Sequence, residues 1–129
     1  MYNDELVIYL CGPMDGCTVE EMTGWREALK KEYRDIRWLD PCRRTYKPQQ
    51  WRQLVEEDIA DIDQSDFVIC YYWKAGTGSA MELAYSHYEA KVPTIVVVPD
   101  FKKVSPWTRY HADYLVESFD DAMKIALAK

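Results

Sequence analysis

The sequence predicts an α/β domain in which a parallel sheet is covered by helices on both faces. Two observations carry this. Apolar runs too continuous for a half-exposed sheet alternate with stretches of helical periodicity. Turn residues close the apolar runs: Gly12-Pro13, Asp40-Pro41 and Gly76 through Ser79.

The elements follow in order. Leu6 to Cys11 is a near-continuous apolar run, as a strand buried on both faces requires. From Val19 to about Tyr33, the residues Met22, Trp25, Leu29 and Tyr33 recur at helical spacing. Ile36 to Leu39 predicts a short second strand. A loop through Tyr46 and Pro48 leads to a helix from about Gln50 to Gln64. Phe67 to Tyr72 is the third strand, and Gly76-Thr77-Gly78-Ser79 turns the chain into a helix reaching about Lys91. Thr94 to Val98 is the most β-branched strand. Leu115 and Val116 form a short fifth, and Asp120 to about Ala128 closes the chain as a helix. Five strands joined by helical crossovers predict a flavodoxin-like (Rossmann-like) sheet in the order 2-1-3-4-5. Ligands of such sheets sit beyond the carboxyl ends of the strands. The loops expected there are Gly12 to Gly16, Asp40 to Tyr46, Tyr72 to Ser79 and Pro99 to Pro106.

Length and composition bound the function. A chain of 129 residues suits one domain, here residues 1–129, with a core that needs no metal or disulfide. With 48% hydrophobic and 29% charged residues it is neither disordered nor low in complexity. A net charge of -6 disfavours DNA or RNA polymers as partners but leaves room for a small anion held by a few donors. Cys11, Cys17, Cys42 and Cys70 make no Cys-x-x-Cys pair, and His87 and His111 are isolated, so no metal site is expected. Cys11 and Cys70 lie in apolar runs and read as small hydrophobes. The acidic start and the short apolar runs predict neither a signal peptide nor a membrane span, hence a cytoplasmic protein. No cofactor is expected either. Gly76-x-Gly78 lacks the third glycine of a dinucleotide fingerprint, and no Walker A or Gly-x-Ser-x-Gly motif occurs.

Two carboxylates stand out. On the helix from Trp51, apolar residues at Trp51, Leu54, Val55, Ile59 and Ile62 define a stripe, and Asp58 falls on it. Either Asp58 projects into a site, or the stripe drifts and Asp58 sits at its wet margin. Glu82 lies one turn beyond Ser79. It either completes a capping box with Ser79 as N-cap, or faces the cleft as a nucleophile. Tyr71, Tyr72 and Trp73 end the third strand at the ligand edge; Tyr71 reads as core and Trp73 as a ligand candidate. Arg43 and Arg44 are solvated loop charges or a phosphate grip. Asp66 reads as a strand-entry residue.

These residues resemble those of the nucleoside 2-deoxyribosyltransferases and their nucleotide N-glycosidase relatives. The resemblance runs through Ile8-Tyr9-Leu10-Cys11-Gly12-Pro13-Met14, Asp58 through Asp66, Gly78-Ser79-Ala80-Met81-Glu82-Leu83-Ala84, Val97-Val98-Pro99-Asp100 and Ser105-Pro106-Trp107. It implies an enzyme in which Glu82 attacks the anomeric carbon, Asp58 handles protons at the base and Tyr9 positions Glu82. Substrate-binding positions follow at Gly12, Pro13, Met14, Asp15, Trp73, Gly76, Gly78 and Ser79. A neighbouring subunit would supply the stretch Ser105 to Asp113, with Arg109, His111 and Asp113 as candidates, in a homodimer or higher homo-oligomer. Where transferases carry an acid six positions before the nucleophile, this chain has Gly76. The resemblance therefore implies base exchange on 2′-deoxyribonucleosides, with hydrolysis of nucleoside 5′-monophosphates as the alternative. A nucleotide-binding module without chemistry is the third reading.

Overall fold

The computed structural model describes residues 5–128. Five strands form one sheet: β1 (Val7–Cys11), β2 (Arg37–Leu39), β3 (Phe67–Tyr71), β4 (Thr94–Val97) and β5 (Tyr114–Val116). Every pair is parallel and the order is β2-β1-β3-β4-β5, the flavodoxin-like arrangement that the alternation predicts. Register places Cys11 beside Cys70 and Tyr9 beside Val68. The helices are α1 (Val19–Glu32), α2 (Trp51–Asp63), α3 (Thr77–Ala84), α4 (Pro106–His111) and α5 (Phe119–Leu127). α3 runs on through a π-helical turn, Tyr85–Ala90, and ends at Lys91 with φ 59.

The sheet separates two cores, because alternate strand residues point to opposite faces. On one face Ile8, Leu10, Ile69, Ile95 and Val97 pack against α1 and α5. On the other Tyr9, Cys11, Val68, Cys70, Val96 and Val98 pack against Ile62 of α2 and Leu83 of α3. Asp66 accepts a hydrogen bond from Val7 N at 2.8 Å, the strand-entry role expected of it. Cys11 and Cys70 are fully buried, and all four cysteines carry free thiols.

Three features depart from the sequence expectations. α4 falls in a stretch to which the sequence assigns no element: Ser105 caps it through Trp107 N and Pro106 takes its first position, so six residues suffice without an apolar period. The apolar stripe of α2 is not buried along its length. Ile62 is buried and Ile59 half-buried, while Trp51, Leu54 and Val55 are exposed, because only the second half of α2 reaches the sheet. Finally, α3 begins at Thr77 with Gly76 as N-cap, so Ser79 lies inside the helix and no side-chain cap forms. The capping-box reading of Ser79 and Glu82 is therefore corrected.

Candidate active site

Tyr9, Asp58 and Glu82 meet on the α2–α3 face of β1. Tyr9 is fully buried because position 9 points inward from a central strand. Its hydroxyl donates to Glu82 Oε2 at 2.9 Å. Asp58 is 8% exposed and shares a hydrogen bond with the Glu82 carboxyl group. Position 58 of α2 is buried on the same face as Asp61 and Ile62, which lie in the last turn of the helix. The reading of Asp58 as a wet-margin residue is thus corrected. Its stripe holds where the helix packs.

Electrostatics follow from this packing. Burial, reinforced by the neighbouring Asp58 charge, pushes the Glu82 carboxyl group up to about 8. Burial also raises Asp58, while the hydrogen bond from Glu82 and the Arg44 guanidinium pull it back. Tyr9 is pushed far above the ordinary phenol range, mostly by burial, and stays a neutral donor. The site thus holds two touching carboxyl groups that cannot both ionise cheaply. Glu82 sits in the second turn of α3, so the helix dipole contributes little to it.

The β1–α1 loop forms the next layer. A Cβ at Gly12 would lie 2.7 Å from the Trp25 ring, and Gly12 O accepts from buried Arg26 at 3.3 Å. Pro13 is buried and packs beside Gly76, where an added Cβ would lie 3.5 Å away. Met14 and Asp15 are exposed, followed by Gly16 at φ 71. Gly78 has open space where a side chain would be, whereas Ser79 is buried and its carbonyl accepts from Cys11 Sγ at 3.6 Å.

Other candidates lie apart from the carboxyl pair. Trp73 and His111 line a cavity of about 530 Å³ on the opposite flank of α3, with Lys74, Leu83, Lys103 and Trp107. Arg109 is exposed and reaches Phe101 O at 3.4 Å. Asp113 accepts from Thr94 N at 2.8 Å, at the start of β4 and so at the far end of the sheet. Within one chain none of these three candidates from Ser105 to Asp113 touches Asp58 or Glu82. Arg43 and Arg44 are no phosphate grip: both are engaged by carboxylates of α2. Sequence reasoning missed buried Arg26, although it shares the helical face of Met22 and Leu29. It also missed that Arg44 belongs to the site. Among the described residues no His, Cys, Asp or Glu cluster could hold a metal ion, and no helix is long and apolar enough to cross a membrane.

The structure is similar to that of a 2-deoxyribosyltransferase from the psychrotolerant bacterium Bacillus psychrosaccharolyticus. The TM-score is 0.73 at 18% identity, over 90% of this chain and 89% of that one. The two proteins share a fold. A conserved protein from Enterococcus faecalis V583 is similar with a TM-score of 0.65 at 12% identity, over 96% and 98% of the two chains. A protein from Burkholderia pseudomallei K96243, described as related to pilus assembly, follows at 0.59 and 14%, over 99% and 93%. No protein-family model and no curated protein matches the sequence. One fold therefore carries differently described proteins, and the activity has to be argued from the site.

Proposed function

We propose that this chain is a nucleoside 2-deoxyribosyltransferase, which exchanges the base of a 2′-deoxyribonucleoside through a covalent glycosyl-Glu82 intermediate. The observation that carries this reading is the meeting of buried Tyr9 and Asp58 with half-buried Glu82. A carboxyl group oriented by a phenol, with a second carboxyl group beside it, supplies the nucleophile and the acid that retaining glycoside chemistry uses. Glu82 Oε bonds to the anomeric carbon as the bond from that carbon to the base nitrogen breaks. The electron pair leaves with the base, which takes a proton from Asp58. The incoming base then gives a proton to Asp58 and attacks the anomeric carbon, and the Glu82 carboxylate departs. Tyr9 holds the orientation of Glu82 throughout. The Gly12 to Asp15 loop, Gly76 and Gly78 border the substrate.

Two copies associate through the outer face of α2, α3 and α4, where Trp51, Leu54, Met81, Tyr88, Trp107 and Tyr110 are exposed. In that association the 105–111 stretch of one copy, through exposed Arg109, closes the site of the other, whereas His111 stays buried in its own chain. Asp113 keeps its structural bonds to Thr94.

Hydrolysis of a nucleoside 5′-monophosphate is the second reading, favoured by one observation. Gly76 caps α3 without a side-chain bond, and Gly78 faces open space, so first-turn N–H groups are free for a phosphate.

Incubation with deoxyuridine and adenine tests both. Deoxyadenosine is the expected product. Free uracil alone, or turnover only of the 5′-monophosphate, selects the hydrolase, and no turnover of either substrate overturns the enzyme reading. Glu82→Ala is expected to cost at least ~10³-fold in rate with the fold intact. Asp58→Asn is expected to lose about 10²–10⁴-fold on natural bases and far less on an activated leaving group.

A further inference from the structure

Arg44 lies on the connection between β2 and α2, and its side chain enters the carboxyl cluster. Nη2 is 3.0 Å from Asp58 Oδ1 and 2.9 Å from Asp61 Oδ2. Nε is 3.6 Å from Glu57 Oε1, buried and without a hydrogen bond. Arg43 spans both oxygens of Asp61, at 3.1 and 2.9 Å. Asp61 therefore has two cations, whereas among the described residues Arg44 is the cation paired with Asp58. The groups that face Asp58 are Glu82 from α3, Tyr9 from β1, Asp61 from its own helix and Arg44 from the connection. Cys11 of β1 and Tyr9 face Glu82. Apart from Arg44, every group in this shell is an acid or a neutral donor.

We propose that Arg44 is a positioning residue of the carboxyl pair: it holds Asp58 as the ionised member, so that the free site keeps one proton on Glu82 and relays it through Asp58 to the departing base. The proposal rests on the base-exchange reading above and adds a source for the proton. Two touching carboxyl groups share a proton, and a cation bound to one of them sends that proton to the other. As the sugar–base bond breaks, the Glu82 proton passes to Asp58 and from there to the base nitrogen. Glu82, now ionised, forms its bond to the anomeric carbon. In the return step the incoming base yields its proton to Asp58, which restores it to Glu82 as the ester opens. Arg44 keeps Asp58 a weak base, and a weak base passes a proton on instead of retaining it. A purely structural Arg44 would tie the connection to α2 and leave these proton positions alone.

The test is a carbon-13 NMR titration of the Asp58 and Glu82 carboxyl groups in the wild type, Arg44→Met and Arg44→Lys. In Arg44→Met both apparent pKa values of the pair are expected to rise, by about 1–3 units. Arg44→Lys is expected to restore most of the difference. Both limbs of the pH profile of kcat/KM for base exchange should move upward in Arg44→Met, with kcat affected more than KM. Unchanged titration curves in Arg44→Met, or no restoration by Lys, overturn the proposal. If Arg44→Met does not fold, Arg44→Gln carries the same expectation, because it keeps a donor and removes the charge. Should the titrations move as stated while the wild type turns over neither deoxyuridine nor a 5′-monophosphate, the effect of Arg44 on the pair stands and the enzyme reading fails.

Discussion

Glu82 is the residue at which stability opposes the chemistry proposed for it. Burial in the folded chain pushes its carboxyl group from an ordinary value near 4.5 up to about 8. The folded state therefore keeps a proton that the unfolded chain has lost. Stability from this group is complete below about 4.5 and declines as the pH rises towards about 8. Glu82→Gln removes the titration. Its melting temperature is expected to match the wild type near pH 4 and to exceed it increasingly towards pH 8, by the equivalent of about 1–3 kcal/mol. Parallel pH dependence in the two proteins would refute the buried-acid description. At the same scale the sequence was only half legible. Composition and spacing put Asp58 on a helical stripe and Glu82 after a turn, but each had a bland explanation that local pattern could not dismiss. Contact between residues 24 positions apart decided the matter, and such contacts leave no trace in local periodicity.

At the scale of elements, the ends of helices are fixed by local chemistry. Thr18 and Glu21 form a reciprocal capping box at the start of α1, with Glu21 N to Thr18 Oγ1 at 3.1 Å and Thr18 N to Glu21 Oε1 at 2.9 Å. Thr18→Ala is expected to cost about 1 kcal/mol in denaturant unfolding. No loss would show that α1 is held by packing alone. α1 also carries the support of the site loop. Arg26, fully buried, donates to Gly12 O at 3.3 Å and pairs with Asp40 at 3.5 Å. Arg26→Met leaves Asp40 to Lys30 and frees Gly12. That variant is expected to lose several kcal/mol of stability. α3 shows the limit of local reading. A Ser-x-x-Glu pattern fits a capping box, yet Gly76 adopts the extended cap conformation three residues earlier, φ -158 and ψ 136, and draws the helix start with it. The pattern had no means of reporting that Ser79 was already inside.

At the scale of the whole molecule, the two faces of the sheet differ. α1 and α5 cover a closed core of Ile, Leu, Val and aromatic residues, including the Trp25–Phe119 stack at 5.5 Å. The α2, α3 and α4 face covers the carboxyl pair and exposes Trp51, Met81, Tyr88, Trp107 and Tyr110 outward. Aromatic residues scattered singly need no partner, but several on one layer suit the self-association proposed above. Sedimentation across a dilution series is expected to show reversible self-association, and Trp107→Glu together with Tyr110→Glu to abolish it. A monomer at all concentrations would remove the shared-site part of the functional reading. The apolar stripe of α2 belongs here too. Its first half looked like core because helical periodicity records which residues share a face, not what that face meets.

Sequence by itself determined the alternation of strands and helices, and through it the parallel sheet and its order β2-β1-β3-β4-β5. Continuous apolar strands, breaker residues and right-handed crossovers leave few other ways to bury so much side chain. Only the tertiary structure decided that Tyr9, Asp58 and Glu82 form one hydrogen-bonded group, and that Arg44 joins them. The physical reason is distance along the chain. Strand and helix propensities act within a few residues, whereas the charge state of a carboxyl group is set by whatever the fold brings within a few ångströms of it.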